Sequence, residues 1–248
     1  MLGSFQVLDG GEPRRNPDGS PAHWRGIFAR SEARIVEGSW DFSGMRATGS
    51  FDWTVDDVFL PERRSMVHAG IPLDNQWQRW PGLSYALPAQ AWVGPHHSAV
   101  ITGIARAGIN ALIELASEKT PRGRSARLCD NPQVQEAVGR ADTILDAGRA
   151  YRSATITDVW NTVAAGKETT LTQRARCRLA ATYAADGARE AMDLMYRHGG
   201  STSYRRESRL AECWRDLQVV GQAVALLPEW YPMGGRVLMG MDPGPRLR

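Results

Sequence analysis

From Pro132 to Gly166 the chain meets no further proline, and Val134, Val138, Ala141, Leu145, Gly148, Tyr151 and Val159 return at helical spacing. That stripe fixes a long amphipathic helix, with Asn131 as its cap and Pro132 at the first helical position. At ~1.5 Å per residue such a helix spans ~45 Å. It needs partners of similar length, and its neighbours supply them. Residues 99–119 place Val100, Ile104, Ala107, Ala111, Leu112 and Leu115 on one stripe, ended by Pro121 and Gly123. Residues 170–197 do the same with Leu171, Ala175, Leu179, Thr182, Met192 and Met195, ended by Gly199-Gly200. Residues 208–227 carry Leu210, Trp214, Leu217, Val220 or Gly221, and Val224, up to Pro228. Four long helices on short links predict an antiparallel bundle.

The first 66 residues have a different period. Trp24, Ile27 and Phe28 fall in one short run, and Ile35 and Val36 in another. Phe51, Trp53 and Val55 alternate with Asp52, Thr54 and Asp56, the period of a half-buried strand, and Pro61 stops it. Residues 14–21 read as a loop or a hairpin tip. The expected class is therefore α+β, a partial antiparallel β-domain followed by an antiparallel four-helix bundle. Its expected parts are a β-domain remnant (1–66), a connector (67–90), the bundle (91–240) and a tail (241–248). Gly70, Pro72, Pro81 and Gly82 break the connector, and its Trp77 and Trp80 are expected to bury against a helix.

Composition excludes little but directs the search. A net charge of +3 is too small to argue for nucleic acid. The basic clusters at 121–127, 174–178 and 205–206 read as solvated helix ends and loops, or as phosphate contacts. Cys129, Cys177 and Cys213 are odd in number and have no C-x-x-C spacing, which speaks against both a disulfide framework and a zinc site. No apolar run looks long enough to cross a membrane, and no signal pattern opens the chain. A cytoplasmic protein with no membrane partner is expected.

The common catalytic constellations do not occur: there is no G-x-S-x-G, no Walker A loop, and no G-x-G-x-x-G after a strand. His23, His68, His96, His97 and His198 make no helical i, i+4 metal pair, so no metal is expected. His96-His97 reads as a helix start, His198 as a side chain near a helix C-terminus, and Arg215-Asp216 as a structural ion pair.

Four stretches in order carry more. They are Gly44-Met45-Arg46-Ala47-Thr48-Gly49-Ser50 with Asp57-Val58-Phe59-Leu60-Pro61-Glu62; Asn131-Pro132-Gln133-Val134-Gln135; His198-Gly199-Gly200 followed by Leu210-Ala211-Glu212 and Arg215-Asp216; and Gly235-Arg236-Val237-Leu238-Met239-Gly240-Met241-Asp242-Pro243. Together they resemble the acyl-CoA dehydrogenase superfamily over most of residues 20–245. The C-terminal half is most similar to its two-component flavin monooxygenases, hydroxylases that use reduced flavin from a separate reductase.

The resemblance implies FAD or FMN as cofactor, a small apolar or aromatic substrate, a flavin reductase as partner, and a homo-oligomer, dimer or tetramer. It implies flavin contacts from Tyr196, Gly199 and Gly200, on the neighbouring subunit's flavin, and a pyrophosphate contact from Arg122 or Arg124. Two departures accompany it. Dehydrogenases of the family place a catalytic Glu on the helix after the Arg-Asp pair, and residues 215–225 contain none. The monooxygenase-like members often place a His near Ala223. The catalytic residue is therefore unknown. Family members are also longer, with an N-terminal helical domain that has no match here. Two further readings stay open: a dehydrogenase acting on the CH–CH group of an acyl thioester, and a non-catalytic truncated chain or assembly subunit.

Overall fold

The computed structural model describes residues 1–17, 19–67, 80, 82–244 and 247. The chain divides into two compact units, residues 1–42 with 46–76, and residues 43–45 with 77–248.

The first unit holds short strands: β1 (Leu2–Gln6), β2 (Leu8–Asp9), β3 (Glu12–Pro13), β4 (His23–Ile27), β5 (Arg34–Ile35), β6 (Trp53–Thr54) and β7 (Ser65–Val67). β4 lies between β1 and β7 in one antiparallel sheet, and β2–β3 and β5–β6 form two-stranded ribbons. Gly3 pairs with Gly26 across β1–β4. A Cβ at Gly3 would lie 2.6 Å from the Trp53 ring, and one at Gly26 would lie 2.5 Å from Leu60 Cδ2. The two glycines therefore clear the space in which aromatic rings pack. Phe28 meets Phe5 and Trp53 edge to face, with centroids 6.4 and 5.5 Å apart, a favoured arrangement.

The alternating run at 51–56 yields only the two paired residues of β6, and Phe51 and Val55 stay 39% and 37% exposed. Its partner β5 is as short, and Asp57 turns away with φ 48°. Beside it the Asp52 N–H donates to Ser39 Oγ at 2.8 Å, not to a ladder. The strand stops at Thr54, before the expected stop at Pro61, which instead caps a 3₁₀ turn at 62–64 that leads into β7, a strand the sequence pattern hides. Of the two readings for residues 14–21 the hairpin holds: Arg15 and Pro21 form a bridge, and the Asn16 N–H donates to Ser20 carbonyl at 2.8 Å.

The second unit is helical: α1 (Ala89–Glu118), α2 (Pro132–Ala164), α3 (Leu171–His198), α4 (Arg209–Val220) and α5 (Trp230–Leu238). The first four alternate in direction as expected. α2 matches its predicted span, with the Gln133 N–H donating to the Asn131 cap at 3.0 Å. α3 opens on a reciprocal cap. The Gln173 N–H donates to Thr170 Oγ1 at 3.1 Å, and the Thr170 N–H to Gln173 Oε1 at 2.9 Å. Thr170→Ala is expected to cost about 1 kcal/mol of unfolding free energy, read by denaturant titration.

Several expectations change. α1 starts ten residues before the predicted position and carries Pro95, which forfeits one helical bond and is buried. The last predicted helix breaks at Gly221, and a fifth, α5, follows Pro228. Pro232 lies in the first turn of α5, where a missing N–H loses no helical bond. The buried face of α1 is Ile101, Ala105, Ile109, Leu112 and Ala116, whereas Val100 is 48% exposed. Tyr151, Leu171 and Val224, expected inside, lie outside. Trp80 is 55% exposed rather than buried. His68, Gly70, Pro72, Trp77 and Pro81 fall outside the described residues. Arg178, in a cluster read as solvated, is buried with its guanidinium 4.5 Å from the Trp230 ring centroid.

The main core joins α1, α2, α3 and α4 through Leu112, Leu145, Met192, Met195, Leu210 and Leu217. Small residues let the helices approach: a Cβ at Gly148 would lie 3.1 Å from Ala184 Cα. By length and composition α1 could also span a bilayer, with mean hydropathy 1.4 over 18 residues, contrary to the sequence reading. Here it packs against α2, α3 and α4.

Cys177 is fully buried, and burial pushes its thiol up from 9.0 to about 11. The folded thiol keeps its proton where the unfolded one has lost it. Stability contributed by this group is thus complete below pH 9 and declines between about pH 9 and pH 11. The Cys177→Ala variant is expected to lose less stability over that window than the parent, measured by denaturation at each pH.

Candidate functional site

The alternation of helix directions brings the C-termini of α1 and α3 and the N-termini of α2 and α4 to one end of the bundle. Three of the residues singled out from sequence lie there on the last turn of α3. Gly199 caps that helix, its N–H donating to Met195 carbonyl at 3.0 Å. Gly200 follows at φ 61°, the left-handed conformation that glycine takes without strain. A Cβ at Gly199 would strike Ser203 Oγ and lie 2.6 Å from Leu210 Cδ1. Internal packing therefore dictates glycine at 199, and backbone conformation dictates it at 200.

Lys119, just past α1, ties the two helix ends together. Its ammonium donates to Gly199 carbonyl at 2.8 Å and to Thr202 Oγ1 at 2.9 Å. Tyr196 stacks on Trp214 of α4 with centroids 5.2 Å apart and rings 28° from parallel, and it meets Tyr204 at 6.2 Å. The Trp214 indole N–H donates to Asp193 Oδ1 at 2.9 Å, which fixes the ring. Tyr204 is 70% exposed. Ser203 Oγ is buried without a hydrogen-bond partner.

Arg122 and Arg124 stand exposed in the turn after Lys119, at the same end of the bundle. Arg127, Arg205, Arg206 and Arg209 share this end, offset by Asp130, Glu207 and Glu212. A basic, aromatic surface with two helix N-termini suits an anionic group attached to a planar ring. The donor set thus fits a flavin nucleotide: arginines for phosphate oxygens and aromatic faces for a ring. Sequence reasoning missed Lys119, Ser203, Tyr204 and the site role of Trp214. Trp214 falls on the core stripe of α4, and only the fold brings it against Tyr196.

The remaining candidates resolve differently. His96 and His97 lie inside α1 rather than at its start. His96 meets the Trp92 ring at 6.1 Å, and His97 Nδ1 lies 2.7 Å from Val93 carbonyl. Arg215 and Asp216 do not pair with each other, because successive helix positions diverge. Asp216 Oδ1 instead accepts the Met45 N–H at 2.6 Å, and Arg215 donates to Arg206 carbonyl at 3.3 Å. Ala223 leads into a 3₁₀ turn at 224–226 beyond the end of α4, and offers no titrating group.

The model for the C-terminal domain of acyl-CoA dehydrogenases matches residues 96–226, more than half of the chain. This chain belongs to the acyl-CoA dehydrogenase family. Among relatives of this family chain, the indole-3-acetate monooxygenase of Pseudomonas putida is 34% identical over 220 residues, 88% of this chain and 54% of the relative. The 3-HSA hydroxylase from Rhodococcus sp. RHA1 superposes with TM-score 0.82 at 24% identity, covering 100% of this chain and 66% of that one. XiaF from Streptomyces sp., solved in complex with FADH2 and glycerol, superposes with TM-score 0.80 at 19% identity, covering 98% and 64%. At those identities the two superpositions establish the acyl-CoA dehydrogenase fold alone. The chain spans about half of the length of its Pseudomonas relative.

Proposed function

We propose that this chain serves a flavin-dependent monooxygenase, a hydroxylase of the acyl-CoA dehydrogenase superfamily acting on a small aromatic or apolar substrate. The observation that carries this reading is the end of the bundle where Lys119 locks the Gly199-Gly200 turn beside the Tyr196–Trp214 stack and the Arg122–Arg124 loop. Tyr196, Gly199, Gly200, Arg122 and Arg124 would hold FAD or FMN, the flavin belonging to a neighbouring subunit of a homodimer or homotetramer. The flavin, reduced by a separate reductase, supplies the oxygen chemistry when bound. The chain's own residues bind and orient it: guanidinium groups neutralise phosphate, and the fixed aromatic stack gives a rigid wall. The protein acts in the cytoplasm, on a small molecule rather than on nucleic acid or a membrane. Dehydrogenation of an acyl thioester is disfavoured because residues 213–228 contain no Glu to take the α-proton.

Titration of the purified protein with FAD and with FMN, oxidised and anaerobically reduced, tests the reading. Saturable binding is expected, and the double variant Arg122→Glu, Arg124→Glu should weaken it about tenfold, or about 1.4 kcal/mol. No flavin binding in any oligomeric state would overturn the proposal. Binding unchanged in the double variant would remove these two arginines from the site.

A further inference from the structure

The arginines of α1 and α2 are matched to carboxylates except at one place. Arg106 Nη1 donates to Asp142 Oδ1 at 2.6 Å, and Arg140 Nη2 to Glu190 Oε1 at 2.7 Å. Asp146 Oδ1 lies 3.9 Å from Arg106 and 3.5 Å from Arg149. Arg152, on the face of α2 that meets α1, has no carboxylate in ion-pair range among the described residues. Its Nη1 lies 3.3 Å from both Ser98 Oγ and Thr102 Oγ1 of α1. Those hydroxyls already donate along α1, Ser98 to Pro95 carbonyl at 2.9 Å and Thr102 to Ser98 carbonyl at 2.8 Å, so they accept from the guanidinium. Nε and Nη2 of Arg152 make no hydrogen bond among the described residues and are not sealed from solvent. Burial, and after it the Arg149 charge, lower the pKa of Arg152, as expected for a cation without a counter-charge.

Beside this fork the seam is open and apolar. A Cβ at Gly103 would meet no atom within 4 Å. Ala91 of α1 and Val159 of α2 belong to one buried cluster. One residue further along each helix is about 100° of rotation, which turns Trp92 and Trp160 to the outer side of the seam. There they are 37% and 41% exposed. Counted along the helices they lie about 9 Å from Ser98 and about 12 Å from Arg152. We propose that this seam binds a monocarboxylate with a flat apolar body, its carboxylate on the Nε–Nη2 edge of Arg152 and its ring against Trp92 and Trp160. A guanidinium edge offers a carboxylate two parallel bonds, and indole faces pack a planar ring. Ser98 and Thr102 fix Nη1, so the fork is ordered before a ligand arrives. The site is about 25 Å along α1 from Lys119 and does not depend on the flavin reading.

Calorimetric titration of the full chain without flavin tests the proposal, with indole-3-propionate, its neutral amide and inorganic phosphate as probes. Saturable binding of the acid is expected, about tenfold tighter than that of the amide. Arg152→Gln should lower the affinity for the acid about tenfold and leave that for the amide unchanged. Trp160→Ala, at an exposed position, should weaken both about fivefold with the thermal midpoint unchanged, and it decides the matter if Arg152→Gln fails to fold. Absence of binding, equal affinity for acid and amide, or an affinity for the acid unchanged in either variant would each overturn the proposal. So would displacement of the acid by an equal concentration of phosphate, which would mark an anion site without an apolar part.

Discussion

Ile101→Ala is expected to lower the unfolding free energy of the helical unit by about 3 kcal/mol, while Val100→Ala, one residue away, changes it by less than about 0.5 kcal/mol. Ile101 is fully buried on the face of α1 that also carries Ala105, Ile109 and Leu112. Truncating it removes apolar area and leaves a cavity that the surrounding helices fill only in part. Val100 is 48% exposed, so its methyl groups are already in contact with water. Denaturant titrations of the two variants read the difference directly. Equal losses at both positions would mean that α1 is rotated from the orientation described here.

Gly44→Ala should be nearly as damaging, at about 2–3 kcal/mol. A Cβ at Gly44 would strike the carbonyl oxygen of Arg215 on α4 and lie 2.7 Å from the Asp216 nitrogen. These are backbone atoms, with no rotamer by which to yield. The loop of residues 43–45 would have to lift from α4, breaking the 2.6 Å bond from the Met45 N–H to Asp216 Oδ1. Met45 is held at φ 52°, a conformation that non-glycine residues adopt only under local restraint. Asp216→Ala removes the acceptor without the collision and is expected to cost less than Gly44→Ala, about 1–2 kcal/mol. The thermal midpoints of the two variants check that order. A midpoint for Gly44→Ala equal to the parent's would show that the loop does not rest on α4.

The helices were legible where the signals are local. Asn131-Pro132, Thr170 with Gln173, and Gly166 fix the bounds of α2 and the start of α3 through bonds within a few residues of the cap. The rotation of α1 was not, because alanine is interspersed along that helix and Val100 and Ile101 are adjacent apolar residues. Only the packing partners choose between them. The strand at 51–56 misled for the opposite reason. Its alternation is clear, but strand length depends on a partner, and β5 offers two residues. At the candidate site the turn Gly199-Gly200 was visible as a helix end. Its tie to Lys119, 80 residues away, and the Tyr196–Trp214 stack are products of the fold. Arg215-Asp216 was conspicuous as a pair of opposite charges, yet its two members serve different partners, which spacing along a helix already favours.

The approach of α2 to α3 at Gly148 and Ala184 has a consequence for how the sequence is free to drift. With 3.1 Å between the site of a missing methyl and the opposing α-carbon, a side chain at 148 fits only where α3 gives way by a few tenths of an ångström. A lineage that gains bulk at 148 must shift the backbone of α3 at 184, because the nearest opposing atom is an α-carbon that no exchange of side chain removes, so bulk at 148 is expected to stay rare.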